Sequence, residues 1–120
     1  MDYHNSQLVR PVVSVSLNKE KPFFDEKIAM LLTLVDETKS IRAAGQRMQL
    51  SYSSCWNMIR TLESQLGGTL IERIQGGAGG IQSRLTERGQ LLLSRFAEYE
   101  RRIRADAGAL YPEYFGGLFE

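Results

Sequence analysis

A chain of 120 residues, 42% hydrophobic and 24% charged, has the make-up of one soluble globular domain with a modest core. Fifteen Lys and Arg against 14 Asp and Glu give a formal charge of +1, which excludes nucleic-acid binding through bulk charge and leaves only local patches. A single cysteine, Cys55, rules out an intramolecular disulfide, and the one histidine, His4, stands in a polar terminus. No nucleophile–base pair or metal-ligand cluster is visible, so neither an enzyme, a metal site nor a cofactor is expected. The chain has no long apolar run and no signal-peptide arrangement; no membrane contact is expected, and the cytoplasm is the default location.

Residues 1–9 read as a loose N-terminus. From Pro11 to Asn18, Val13, Val15 and Leu17 alternate with Ser14 and Ser16, the pattern of a half-buried strand. Lys19 to Pro22 turns the chain. Asp25 then suits the cap of a first helix whose apolar stripe is Ile28, Leu31, Leu32 and Val35.

Ser40 to Gly67 reads as two helices joined by a tight turn. Ser40 caps the first, in which Ile41, Ala44 and Met48 recur at helical spacing and Ala43–Ala44 permits close helix approach. Ser51 caps the second, with Cys55, Ile59, Leu62 and Leu66 on one buried stripe. At about 100° per residue the opposite face carries Ser53, Asn57, Arg60 and Ser64, with Ser54 and Thr61 beside them. That face is polar, short-chained and free of acid. Between Lys39 and Leu62 the only ionisable side chains on either sign are Lys39, Arg42, Arg47 and Arg60, apart from Tyr52 and Cys55. A helix-turn-helix with such a face suits a DNA major groove, and the local positive charge suits phosphate. Two amphipathic helices of any small bundle give the same pattern.

Gly67–Gly68 ends the second helix. Thr69 to Ile74 reads as a short strand, 75–82 as a glycine loop, and Ser83 to Leu85 as a return strand. No Gly-Lys-Ser/Thr follows the glycines, so a hairpin tip is a better reading than a nucleotide cradle. Thr86 caps a long final helix on which Leu92, Phe96, Tyr99, Ile103 and Leu110 keep a spacing of three and four, interrupted at Asp106. Such a stripe outruns a small core, and a dimer contact through Phe96, Tyr99, Ile103 and Leu110 is expected; the alternative is packing on the chain's own domain, above all for Phe96. Residues 112–120 form an aromatic tail.

Ser40-Ile41-Arg42-Ala43-Ala44, Ile59-Arg60-Thr61-Leu62-Glu63, Leu66-Gly67, Glu72-Arg73 and Leu85-Thr86-Glu87-Arg88-Gly89 together resemble the winged-helix N-terminal domain of LysR-type transcription regulators. Ser51-Tyr52 followed by Trp56, the glycine wing before Ser83-Arg84-Leu85-Thr86, and Lys21-Pro22-Phe23-Phe24 are similar to ModE-type, molybdate-responsive regulators. The resemblance covers residues 10–105 or so. It implies a mainly α fold with a small β-hairpin: an N-terminal strand, a winged helix-turn-helix over 10–88 and a long helix over 89–111.

It further implies a sequence-specific regulator binding double-stranded DNA as a homodimer, with a recognition helix at about 51–66 in the major groove and the wing at 75–82 near the backbone. The DNA-facing positions so implied are Tyr52, Ser53, Ser54, Trp56, Asn57 and Arg60, and Ser51 at the start of the helix is counted with them. Arg84 and Arg73 flank the hairpin and reach phosphates if they point outward. Helical phasing agrees for Ser53, Ser54, Asn57 and Arg60; for Tyr52 and Trp56, packing against the wing or the preceding helix is the alternative. The sequence departs from the family at Ser53, Ser54 and Ala78, where basic residues are common, and at Gln49, which replaces a turn glycine. It stops where ModE-type proteins continue into oxyanion-binding domains, so molybdate sensing is not carried over. The competing reading is a winged-helix protein-interaction or dimerisation module that does not bind DNA.

Overall fold

The computed structural model describes residues 8–76 and 80–119. His4 and Ala78, at the expected wing tip, lie outside them. Two short strands, β1 (Ser16–Asn18) and β2 (Pro22–Asp25), form an antiparallel hairpin with Leu17 opposite Phe24. The expected strand over 11–18 is therefore reduced to its last three residues. Its alternation survives as burial, with Val13, Val15 and Leu17 half-buried and Ser14 and Ser16 exposed. What is missing is a ladder partner: β2 is only four residues long, so nothing pairs with residues 11–15.

Asp25 starts helix α1 (Glu26–Thr38) by accepting the Ile28 N–H at 3.0 Å. The stripe buries Leu31, Leu32 and Val35 completely and Ile28 in part. Lys39 closes the helix in the left-handed region (φ 60°), giving its N–H to Val35. Helix α2 (Ile41–Arg47) follows directly, capped by Ser40, whose Oγ accepts the Ala43 N–H at 3.0 Å.

Helix α3 (Tyr52–Leu66) packs across α2, with Cys55, Ile59 and Leu62 fully buried. Gly45 makes this crossing possible. A Cβ there would stand 2.7 Å from Cys55 Sγ and 3.1 Å from the Leu50 carbonyl oxygen, so the residue that weakens α2 as a helix lets α3 approach it. Burial pushes the Cys55 thiol above its usual pKa, keeping it an unreactive core group.

The turn between α2 and α3 adopts the left-handed conformation that its Gln49 disfavours, at φ 58°. Gln49 is exposed, and its N–H donates to the Gln46 carbonyl at 3.2 Å, a bond that a glycine would keep. Gln49→Gly is expected to stabilise the fold by roughly 0.5–1 kcal/mol, read as a higher urea midpoint at unchanged slope. An unchanged or lower midpoint would contradict this.

Gly67, at φ 71°, ends α3. The corner after it is heavily tied. Glu63 Oε2 accepts the Leu70 N–H at 2.8 Å and the Ile71 N–H at 3.4 Å, and Arg88 donates to the Leu66 carbonyl at 2.7 Å. The wing is an antiparallel hairpin of β3 (Ile71–Gly76) and β4 (Gly80–Leu85), in unbroken register from Ile71–Leu85 to Gly76–Gly80. Gln75, Gly76 and Gly80 to Gln82, expected in a loop, are thus strand residues. The ladder carries Gly76 and Gly80 despite the poor strand propensity of glycine.

Helix α4 (Glu87–Phe115) is capped by Thr86, whose Oγ1 accepts the Gly89 N–H and donates to the Thr69 carbonyl. It passes its expected end at residue 111 and holds Pro112 in its last turn, where the proline forfeits one N–H to the helix ladder. Phe96 is 5% exposed and meets Phe24 edge-on at 4.7 Å between ring centroids. This corrects its expected place among the dimer contacts: Phe96 belongs to the core of its own chain.

One turn on, Glu100 is buried beside Glu26 and Arg104, which donates to both carboxylates, to Glu100 at 3.3 Å. Burial, then the hydrogen bond and charge of Glu26, hold the Glu100 carboxyl above its ordinary value of 4.5; Arg104 pulls it down more weakly. The folded chain therefore holds this proton more firmly than the unfolded chain. The stabilising contribution is complete below the unfolded value and is lost as pH rises through the folded one. Glu100→Gln is accordingly expected to raise the melting temperature at pH 8 and to change it little at pH 4. An equal change at both would mean that ionisation of Glu100 carries no cost.

Candidate nucleic-acid interface

The polar side of α3 is open. Ser53, Ser54, Asn57, Arg60, Thr61 and Ser64 are all exposed, and the residues between them turn into the core. Ser51 and Ser54 are partly engaged with each other: Ser51 Oγ accepts the Ser54 N–H at 3.1 Å and donates to Ser54 Oγ at 2.8 Å. Ser51 is thus first a cap, as its position requires.

The two aromatics of α3 lie beside this face. Tyr52 is exposed and Trp56 half-buried, their rings edge-to-face at 6.3 Å. Each contacts a neighbouring element, as the packing alternative anticipates. The Arg42 guanidinium of α2 lies 4.4 Å from the Tyr52 ring centroid. Trp56 takes two such groups, Arg60 from its own helix at 5.3 Å and Arg73 from β3 at 4.9 Å. Cation–π contact of this kind holds a guanidinium while leaving its N–H groups free for another acceptor.

Ion pairing divides the cations into two groups. Lys39 pairs with Asp36 at 3.6 Å and Arg47 with Glu37 at 3.9 Å, so the acids just before the acid-free stretch reach back to half of its charges. Arg84 Nε donates to Glu72 at 2.7 Å across the wing, where the register sets the two opposite each other. The expected wing cation therefore has its charge offset by a neighbour. Among the described residues, Arg42, Arg60 and Arg73 have no carboxylate within 4.0 Å. The sequence signals Arg42 and Arg60 through the absence of nearby acid, and Arg73, which follows Glu72 directly, only through its place beside the hairpin.

The wing is fixed to the helices. The Ser83 N–H donates to the Lys39 carbonyl at 2.9 Å, and a cleft of about 240 Å³ runs between them, lined by Lys39, Arg42, Tyr52, Arg73, Ile81 and Ser83. Helix α3, helix α2 and the wing thus lie side by side around this cleft. Among the described residues no cluster of three or more potential metal ligands occurs, and no helix is long and apolar enough to cross a membrane.

The expected dimer contacts lie elsewhere, along α4. Tyr99 and Leu110 are about half exposed (54% and 49%) and Ile103 is half-buried, so a stripe remains that the chain itself does not cover.

A short helix, a turn, a longer helix with an acid-free outer face and a hairpin pressed against them define a winged helix-turn-helix protein. The chain belongs to the lysR family of bacterial regulatory helix-turn-helix proteins, whose family model matches residues 28–90. It is 33% identical over 78 residues to the molybdenum transport protein ModE of Herbaspirillum seropedicae, covering 65% of this chain and 29% of that protein. Over 80 residues it is 31% identical to the molybdenum-pterin-binding protein MopA of Rhodobacter capsulatus, covering 67% and 30%. The transcriptional regulator ModE of Yersinia pestis is 30% identical over 78 residues, covering 65% and 30%. The matches therefore span less than a third of each relative's length.

Proposed function

We propose that this chain binds double-stranded DNA and regulates transcription, with α3 in the major groove, the wing along the backbone, and two copies joined through α4. It acts in the cytoplasm by binding, without catalysis. The observation that carries the proposal is the exposed, acid-free face of α3 bordered by the unpaired Arg42, Arg60 and Arg73. Family membership and relatives named as regulators support it. The molybdenum in the relatives' names belongs to proteins more than three times as long as the matched stretch, and no effector is part of the proposal.

The proposal is tested by retardation of random duplex DNA at two salt concentrations, followed by selection of a preferred site. Affinity falling steeply with salt, and a selected site bound roughly 10³-fold or more above random DNA, are expected. No binding at low salt would favour the competing reading, a protein-interaction module. That reading draws on the net charge of +1 and on the carboxylates paired with Arg47 and Arg84.

A further inference from the structure

We propose that Trp56 acts not as a DNA reader but as a positioning residue, holding Arg60 and Arg73 as a pair aimed at phosphates of the DNA. The inference rests on the DNA-binding reading above and assigns a division of labour within it.

Trp56 sits one helical turn before Arg60 on α3, so i, i+4 geometry brings the guanidinium over its ring. Arg73 arrives from β3, a different element, and meets the same ring at 4.9 Å. An arginine side chain carries about 2 kcal/mol of rotamer entropy, much of which is lost when it binds a phosphate. A residue that fixes two of them beforehand removes part of that loss. A carboxylate would fix them as well, but would neutralise the charge, as Glu72 does to Arg84 on the next strand. The indole ring holds them through its π-face and leaves both charges available. Because Trp56 is half-buried and loaded with two cations, its own ring has little surface left for a base. Tyr52 repeats the arrangement on a smaller scale with Arg42, and its edge contact with Trp56 links the two.

Phosphate contacts carry no sequence information, whereas their number sets the salt dependence. The test uses the whole chain and a fluorescently labelled random duplex of about 20 base pairs, a length that covers two half-sites. Binding is measured over a salt series for the wild type, Trp56→Leu and Trp56→Phe. Trp56→Leu is expected to flatten the slope of log K against log salt by up to about 3.6, two contacts from each of two protomers at about 0.9 each. The fold-loss should be the same on the selected site. Trp56→Phe keeps a π-face and should retain most of the slope. Arg73→Gln should cost several-fold in the wild type and much less on top of Trp56→Leu, because the two act as one unit.

An unchanged slope in Trp56→Leu overturns the proposal, as does a loss confined to the selected site, which would make Trp56 a base reader. Phe behaving like Leu, or Arg73→Gln adding its full loss on the Trp56→Leu background, overturns it too. Should Trp56→Leu fail to fold by circular dichroism, the pair Arg60→Gln and Arg73→Gln in the wild-type background decides. Each is exposed, and each should lower the slope by about 1.8, one contact from each protomer, equally on both DNAs. Trp56 is the chain's single tryptophan, so its emission in the free protein reports the contact without DNA. A shift on Arg73→Gln is expected; none would overturn the placement itself. An emission shift on Arg73→Gln together with a wild type that binds no DNA would instead defeat the DNA-binding function, and the phosphate role with it.

Discussion

Replacing Ile103 by Glu is expected to break the dimer proposed through α4 and to leave the winged helix folded. With α4 reaching from Glu87 to Phe115 and its last buried residue at Glu100, the second half of the helix projects past the core. Tyr99, Ile103 and Leu110 continue along one side of that projection. In a two-fold dimer each residue of the stripe counts twice, and a large apolar side chain contributes about 1.5–3 kcal/mol when buried. Losing two such contributions, and burying a carboxylate in their place, should weaken the dimer by at least about 100-fold. Sedimentation detects the monomer, and circular dichroism confirms the fold. Because Ile103 is half-buried within its own chain, Leu110→Glu provides the cleaner companion, being exposed there. If both variants remain dimeric, or the wild type is monomeric at micromolar concentration, α4 is not the dimer interface.

Asn57→Ala should cost about 1–3 kcal/mol on the selected DNA site and far less on random DNA. Asn57 is exposed in the middle of the polar face of α3, and no side-chain hydrogen bond to it occurs among the described residues. Its amide can therefore offer a donor and an acceptor together, the pairing that suits the major-groove edge of adenine. The expected signature is a loss of discrimination at one base-pair position. A loss of the same size on both DNAs would place Asn57 against the backbone instead.

The four helices were legible because each start carries its own chemistry. Asp25, Ser40, Ser51 and Thr86 all cap as their side chains suggest, and the apolar stripes face the core, that of α4 only as far as Phe96. Features set by pairing between elements were harder to read. β2 lies in Pro22-Phe23-Phe24-Asp25, where a proline at the first position looks like a turn until a partner strand is present. The wing strands outran their apolar residues because register, not composition, extends a ladder through glycine and glutamine. The same limit applied to the interface. The exposed face of α3 follows from helical phase alone. Which arginines stay free depends on where Glu72, Glu37 and Trp56 fall in space, and that requires the hairpin register and the packing of three elements. Phe96 illustrates the converse, since helical spacing alone could not separate a residue packing on Phe24 from the stripe that continues past it.

The Phe24–Phe96 contact also affects how the chain can be made. Its two rings lie outside the family-matched stretch 28–90, one on each side, yet they close the core between them. During synthesis Phe24 leaves the ribosome long before Phe96 exists, and at about 5–20 residues per second the interval lasts several seconds. For that time the side of the core around Phe24 has no lid. Any shortened version ending before the third turn of α4 would leave Phe24 without its partner ring, whatever it kept of the helix-turn-helix.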